Sequence, residues 1–404
     1  MLNRRSFLKA TLGTTALGAP VVSSLVPGLT ARASAATTLT ATVVNDSGVF
    51  DNEAVSIYVT GHRSGQEGFV NADGQFVPVP PDGQEGDPLD VEIPMAGNGI
   101  TTIELPQMSG RVYVLAKIDE EDELNFRVAV TPNGDRSMHY PAGWVVGQPD
   151  YFMLYDQVEF TLDDTGMFCN TTCVDDFCLP LAIQLEGTRS QITGTLVPDG
   201  RERIFSSVAN TPGFDQLVRG DFRVIAPSHG IDSNLFSSSY YKDYIDDVWT
   251  KYSSTNLTVV DEVSGNTYTG HVEDGAEDGE FVFDQDVAPF SKPTTRDVFF
   301  CHGALESPND GITGPVGATL CAAFNRSTLL SNSLEPVPDS SQFYRELVSN
   351  HYAAALHQFA TDGKAYGFAY DDIGGWDTLI ADTNPTSWRI TFGRMNSVPT
   401  KPEA

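Results

Sequence analysis

Residues 155–180 constrain the fold of this chain more than any other stretch. They begin with alternating β-branched, aromatic and polar residues around Glu159, a pattern typical of a strand. The turn signal LDDTG follows, and a second apolar run then extends from Phe177 to Leu185. We therefore expect a strand, a turn and a returning strand that bring Glu159 and Asp175 to one wall of a cleft.

The same short β runs fill the chain from residue 37 to residue 190. Residues 38–61 contain two strand-like runs around an Asn-Asp-Ser-Gly turn. Asp73-Gly74 and Asp82-Gly83 are hairpin signals. Strands at this density, with almost no helical period, predict an antiparallel sandwich or barrel.

The predicted secondary structure changes to mixed α/β at about residue 191 and returns to β near the end of the chain. Tyr244, Val248 and Tyr252 lie at helical spacing, and residues 351–360 predict a short helix. The stretches AYGFAYDD and SWRITFGR read as the closing strands. The expected divisions are a signal segment (1–36), a first barrel part (37–190), a mixed α/β insertion (191–350), C-terminal barrel strands (351–396) and a tail (397–404).

The N-terminal segment is typical of a twin-arginine export signal. Arg4 and Arg5 precede an apolar region, and Ala33-Ser34-Ala35 resembles a cleavage site. The alternative is a transmembrane anchor, but glycines and prolines interrupt an apolar region that is already too short. We expect a secreted chain without a stable membrane anchor, beginning near Ala36 or Thr37.

The charge of the chain excludes several classes of partner. Removing residues 1–36 leaves 20 basic residues against 54 acidic ones, a net charge near −34. Such a surface argues against binding to nucleic acid, anionic lipid or an acidic substrate. The composition fits either an ordinary acidic secreted protein or a protein adapted to high salt, and we favour the second because salt screens self-repulsion.

Three of the five cysteines, Cys169, Cys173 and Cys178, lie within the central stretch. A zinc site is one interpretation, but their spacing is unusual and no histidine is near them in sequence. A local disulfide with one spare thiol is the interpretation that we prefer in an exported chain.

Several motifs occur in one order along the chain. Glu159 stands in EFTL, and Asp175 follows sixteen residues later in VDDF. Other motifs are SHGID (228–232), DYIDDVWTKY (243–252), CH…SPNDGITGP…LCAAFNRSTLL (301–330) and NHYAAALHQFATDGKAYGFAYDD (350–372). Over about residues 38–394 the chain resembles glycoside hydrolase family sixty-four, the laminaripentaose-producing β-1,3-glucanases, whose barrel is similar to thaumatin.

The resemblance implies a mostly β fold, a thaumatin-like barrel or sandwich with a mixed α/β domain that together form an open cleft. It also implies an inverting β-1,3-glucan hydrolase. We expect a monomer that needs no cofactor or metal. Glu159 would be the general acid, in a dry setting beside Val158 and Phe160, and Asp175 the base that activates water. Asp176 would point away from the cleft.

The resemblance assigns further residues. Thr161 is retained, whereas Asp163 replaces an asparagine and Phe168 a tryptophan of the family, which bears on substrate affinity and product length. Further candidates for sugar binding are Tyr155, Asp371 and Asp372, with Trp144, Tyr366, Tyr370 and Trp376 as other aromatic surfaces. The histidines within family-like motifs, His229, His302, His351 and His357, read as structural. Cys301 and Cys321 match family cysteines, which implies a disulfide between them.

Two function classes follow. The first is the hydrolase, favoured because both acids are retained. The second is a non-catalytic thaumatin-like protein that binds β-glucan, which the changes at Asp163 and Phe168 would fit.

Overall fold

The computed structural model describes residues 38–401 except 274, 276 and 278, so that the expected signal segment and residues 402–404 lie outside the described residues. The strands are β1 (Thr38–Asn45), β2 (Val55–Arg63), β3 (Gln66–Val70), β4 (Phe76–Pro78), β5 (Glu92–Pro94), β6 (Ile100–Pro106), β7 (Met108–Ala116), β8 (Arg127–Val130), β9 (Arg136–His139), β10 (Leu154–Asp163), β11 (Gly166–Thr171), β12 (Asp176–Phe177), β13 (Leu181–Glu186), β14 (Gln191–Thr193), β15 (Val218–Arg219), β16 (Arg223–Ile225), β17 (Leu257–Val260), β18 (Thr267–Val272), β19 (Phe281–Phe283), β20 (Leu334–Glu335), β21 (Ile380–Asp382) and β22 (Ser387–Phe392). The α-helices are α1 (Gly200–Ala209), α2 (Pro227–Asp232), α3 (Lys242–Tyr252), α4 (Thr295–Phe300), α5 (Thr313–Arg326) and α6 (His351–Phe359). Within the described residues, no helix combines the length and apolar character that a membrane span requires.

Two sheets packed face to face form the β part. One has the strand order β14-β13-β22-β1-β6, and the other has the order β21-β11-β10-β7-β2-β3-β4 with β5 also paired to β2. A single apolar core lies between them and includes Val43 and Ile390 of the first sheet and Val114 and Phe160 of the second, all with no exposed surface. The fold is therefore mostly β and sandwich-like, as the sequence predicts.

The end of the chain completes both sheets. Strand β22 lies between β1, to which it is parallel, and β13, to which it is antiparallel. Strand β21 adds to the edge of the second sheet beside β11. Distant segments of the chain thus share one core, so that the sandwich needs both.

The stretch AYGFAYDD, residues 365–372, is not the strand that its pattern predicts. It forms turns, and its Tyr366 and Phe368 are buried. The guanidinium of Arg326 in α5 donates to the carbonyl oxygens of Asp371 and Ile373, so a buried side chain satisfies this backbone in place of a strand ladder.

The α/β part has a core of its own. Its helices pack with short sheets of order β12-β16-β15 and β19-β18-β17-β20. The buried face of α3 contains Tyr244, Ile245, Val248, Trp249 and Tyr252, as the helical spacing predicts. Helix α5 is buried along its whole length and passes through the centre of this part.

A third apolar cluster covers one end of the outer face of the second sheet. It packs Tyr58, Tyr113 and Tyr155 of the sheet against loop residues such as Phe126 and against the β8–β9 hairpin. The remainder of that outer face is polar, and it holds the candidate site.

Candidate active site

A row of polar side chains crosses the outer face of the second sheet. Strand register places Thr60 of β2, Arg111 of β7, Glu159 of β10 and Asn170 of β11 directly opposite one another. Directly opposite residues share a face of a sheet, so all four side chains lie on the same side. We call these four residues the polar row.

Glu159 is held from both sides within this row. Arg111 donates to its Oε1 from Nε at 3.2 Å and from Nη2 at 3.1 Å, and Asn170 Nδ2 donates to Oε2 at 3.2 Å. The side chain is only 2% exposed. The apolar setting expected from Val158 and Phe160 is therefore wrong, because alternation along β10 points those two side chains into the opposite, inner core.

Arg111 connects the two candidate acids electrostatically. Its burial alone would lower the pKa of the guanidinium, but Tyr113, Glu159 and Asp175 outweigh burial and raise it. Arg111 therefore stays charged. Both carboxyls act on this one cation, whose side chain is 13% exposed.

We expected Asp175 on the strand next to Glu159, but it does not lie there. Strand β11 ends at Thr171, and Asp175 follows in a bend that leads to β12. The apolar run from Phe177 to Leu185 is split around Pro180, so β12 pairs with β16 of the α/β part while β13 joins the first sheet. Asp175 consequently sits where the two parts of the molecule meet.

Asp175 is anchored to α2 and to Ala226, the residue that precedes this helix. Its Oδ1 accepts a hydrogen bond from His229 Nε2 at 2.8 Å, and its carbonyl oxygen accepts from the backbone N–H of Ala226 at 3.0 Å. The Asp175 side chain is 24% exposed, and that of His229 is 18% exposed. The imidazole stacks on the ring of Trp144, with centroids 4.8 Å apart.

Asp176 is directed into the protein, in contrast to its neighbour. It is buried and forms an ion pair with Arg223 Nη1 at 2.8 Å. Burial raises the pKa of this carboxyl, although Arg223 opposes the rise. Asp176 therefore has a structural setting, while Asp175 keeps access to solvent.

Three of the predicted binding residues lie near Glu159 on the same face. Thr161 is two residues along β10, exchanges a hydrogen bond with Ser109 at 2.9 Å, and lies directly opposite Phe168 of β11. Asp163 ends the strand, where it accepts from the backbone N–H of Thr165 at 2.6 Å and so stabilises the hairpin turn. The ring of Phe168 is half-buried, with one part facing solvent.

The other three predicted binding residues do not reach this surface. Tyr155 is 2% exposed, and its hydroxyl accepts from the N–H of Gly143. Asp371 is fully buried between Arg326 and His357, with oxygen–nitrogen distances of 3.0 Å to each. Asp372 is also buried. An aromatic run and a pair of acids in sequence do not reveal this burial, and their role in sugar binding stays a prediction.

The cysteines differ from the sequence-based expectations. All five, each within the described part of the chain, are free thiols, so neither the Cys301–Cys321 disulfide nor a local disulfide is formed. Cys301 and Cys321 lie side by side, but their sulfurs donate instead to the carbonyl oxygens of Val298 and Leu305. Among the described residues, no group of three or more His, Cys, Asp or Glu side chains is arranged to hold a metal ion.

Sequence reasoning missed Arg111 and Asn170 and interpreted His229 as only structural. Arg111 carries no local motif, because its position opposite Glu159 depends on strand register. His229 lies in SHGID, so its motif was visible while its partner was not. A cavity of about 40 Å³ is lined by residues including Gln157, Thr172 and Tyr366, but neither Glu159 nor Asp175 lines it. That volume suits water, not a sugar ring.

The sequence of the chain matches a known protein family. The family described as Beta-1,3-glucanase, glycoside hydrolase family 64, matches residues 37–392. The chain is 34% identical over 399 residues to proteins named glucan endo-1,3-beta-glucosidase from Cellulosimicrobium cellulans and from Arthrobacter sp. strain YCWD3, covering 94% of this chain and 69% of each relative.

Solved structures agree with this placement. A laminaripentaose-producing β-1,3-glucanase in complex with laminaritetraose superposes with a TM-score of 0.81 at 33% identity, covering 89% of this chain and 99% of that one. A family 64 domain from Clostridium beijerinckii, at 23% identity, shares the fold with a TM-score of 0.73, covering 90% of this chain and 100% of its own. The family match and the curated relatives decide for an enzyme over a binding module. The chain belongs to glycoside hydrolase family 64, the β-1,3-glucanases.

Proposed function

We propose that this chain is a secreted enzyme that hydrolyses β-1,3-glucan with inversion, with Glu159 as the general acid and Asp175 as the general base. The observation that carries the proposal is the placement of the two carboxyls. Glu159 lies in the polar row, and Asp175 lies on the neighbouring bend. Both carboxyls interact electrostatically with Arg111. The names of the relatives supply the substrate class.

The proposed reaction uses the two acids from opposite sides of a bound sugar. The oxygen of a water molecule forms a bond to the anomeric carbon while Asp175 takes a proton from that water. Glu159 gives its proton to the glycosidic oxygen as the bond from that oxygen to the anomeric carbon breaks. Asp175 has the solvent access that a water-activating base requires, since 24% of its side chain is exposed.

The contacts of Glu159 define which oxygen can act. Oε1 is engaged twice by Arg111, whereas Oε2 has a single contact, to Asn170 Nδ2 at 3.2 Å. We assign the transferred proton to Oε2, because a proton on Oε1 would face the guanidinium donors. Thr161 and Phe168 lie along the same face and would contact the sugar chain.

The division of roles is tested with two near-isosteric variants and one truncation. Glu159→Gln and Asp175→Asn should each lower kcat on laminarin by at least about 10³-fold, with an unchanged thermal midpoint. Asp175→Ala should regain turnover with added azide, because azide needs no base. The product should be the α-glycosyl azide.

The stereochemistry gives an independent readout. NMR of the first products of the native enzyme should show the α-anomer, since inversion converts the β-linkage. A first-formed β-anomer would contradict the inverting mechanism. Native-like turnover of Glu159→Gln or Asp175→Asn would remove that residue from its role.

Export by the twin-arginine route is the second part of the proposal. It is supported by Arg4, Arg5 and the Ala33-Ser34-Ala35 site, which lie outside the described residues. Mass spectrometry of the exported protein should give a chain that begins near Ala36 or Thr37, and Arg4→Lys with Arg5→Lys should retain it in the cell.

A further inference from the structure

We infer that His229 is a positioning residue for the base: it fixes the Asp175 carboxylate so that one oxygen remains directed at the attacking water. The inference rests on the proposed function, in which Asp175 is that base. It concerns a residue that belongs to the α/β part, whereas Glu159 belongs to the sandwich.

The hydrogen bond between the two side chains has a defined direction. A carboxylate oxygen can only accept, so Nε2 of His229 is the donor to Asp175 Oδ1 at 2.8 Å. Among the described residues, Asp175 Oδ2 has no side-chain or backbone hydrogen-bond donor. One oxygen is therefore held, and the other is left for water.

The imidazole is itself held on two sides. Trp144 stacks on it with a centroid distance of 4.8 Å and an interplanar angle of 23°, and Phe300 meets it edge-on at 5.7 Å and 89°. The backbone bond from Ala226 to the Asp175 carbonyl ties the same two segments together. Because three contacts limit the imidazole and the bend, the carboxylate cannot turn freely about its Cβ–Cγ bond.

Orientation matters because the base must take the proton while the water attacks. A carboxylate that rotates would move Oδ2 away from the water and lose the alignment on which the rate depends. Reaction rates fall by up to about 100-fold when reacting groups are misplaced by about 1 Å. The His229 hydrogen bond prevents that rotation without contacting the substrate.

Other charged and polar groups lie around Asp175 and belong to elements other than α2. Arg111 from β7 is the nearby cation, and Tyr113 is affected by the same carboxyl. Asp176 adjoins Asp175 in the chain and is paired with Arg223 of β16. A His229 variant leaves all four of these groups in place, so a change in kcat can be assigned to the lost donor.

The test uses three substitutions at His229 in the whole enzyme, with laminarihexaose as the substrate. His229→Ala should lower kcat by about 10- to 100-fold with little change in KM. His229→Gln should recover most of the lost kcat, because Gln Nε2 is as many bonds from Cα as His Nε2.

His229→Asn is the matched control, since its amide nitrogen is one bond nearer the backbone and should not restore kcat. A second control is His139→Ala. It removes a histidine on β9 that pairs with the exposed Glu85, and it should leave activity unchanged. Thermal midpoints of the variants should agree within a few degrees, so that lost activity is not lost folding.

The outcomes separate this inference from the proposed function. Loss of activity in Asp175→Asn with native kcat in His229→Ala would overturn only the positioning role. Equal losses in His229→Gln and His229→Ala at unchanged stability would also overturn it. Native activity in Asp175→Asn would instead overturn the assignment of the base.

Discussion

At the scale of single residues, the site depends on side chains whose partners are far away in sequence. Arg111 lies 48 residues before Glu159, and His229 lies 54 residues after Asp175. Each acid thus accepts hydrogen bonds from a residue that is distant in sequence. Loss of either partner should change the acid's orientation without removing the acid itself.

Phe168 gives a residue-scale prediction about substrate binding. Pairs of aromatic rings contribute about 0.5–1.5 kcal/mol beyond their buried area, and we expect a sugar stacked on Phe168 to gain a similar amount. Phe168→Ala should therefore raise KM for laminarihexaose by roughly 3- to 10-fold, with a smaller effect on kcat. Phe168→Trp should lower KM below the native value, because it enlarges the ring and adds an N–H donor.

The control for this prediction is Phe76→Ala. Phe76 is also half-buried, but it lies in β4 at the opposite edge of the same sheet. Its loss should leave KM unchanged. A native KM in Phe168→Ala would exclude the ring from the binding surface.

At the scale of secondary-structure elements, register and pairing decide what faces the cleft. Strand β10 directs Val158 and Phe160 to the inner core and Glu159 and Thr161 to the outer face. A shift of one residue in pairing would exchange the two faces and place the acid inside the core. The inner apolar side chains of β10 therefore specify the position of the acid.

Strand β20 contains a buried acid that gives an element-scale prediction. Burial raises the pKa of Glu335 from an ordinary value of 4.5 to about 7, although Thr328 and the Val337 N–H oppose the rise. Between these two values the folded protein keeps a proton that the unfolded chain has released. Stability should therefore fall as pH rises from 4.5 to 7.

Glu335→Gln removes this titration. One pKa unit corresponds to about 1.36 kcal/mol, so the variant should be more stable than the native protein by up to about 3 kcal/mol at pH 8. Denaturant unfolding across pH 4 to 8 measures the difference. Glu121→Gln, an exposed control, should follow the native curve. An identical pH dependence in Glu335→Gln and the native protein would contradict the prediction.

At the scale of the whole molecule, a large negative charge surrounds two cores that meet at the site. The formal net charge of the full sequence is −30. Like charges repel one another at low salt, and the Debye length falls from about 10 Å at 0.1 M to about 3 Å at 1 M salt. Salt should thus stabilise the folded state.

The corresponding prediction is a thermal midpoint that rises by several degrees between 0.1 and 2 M NaCl. For a domain of this size, about 1 kcal/mol of stability corresponds to roughly 2–4 °C. Sucrose at matched osmolality serves as the uncharged control and should give a smaller rise. A midpoint that falls, or one that sucrose raises equally, would count against adaptation to high salt.

The sequence by itself determined the features that depend on neighbouring residues. Alternation predicted β10 and the mostly β class, and helical spacing predicted the buried face of α3. The short helix before the closing strands was confirmed as α6. Resemblance in ordered motifs predicted the family, because many matches in one order are specific.

Only the tertiary structure decided what depends on long-range pairing. It moved Asp175 from the strand beside Glu159 to a bend joined to α2, and it replaced the apolar setting expected for Glu159 by contacts with Arg111 and Asn170. It also buried Tyr155 and left the cysteines as thiols. Periodicity reports which face of an element is apolar, but it does not report which distant element covers that face or supplies a partner.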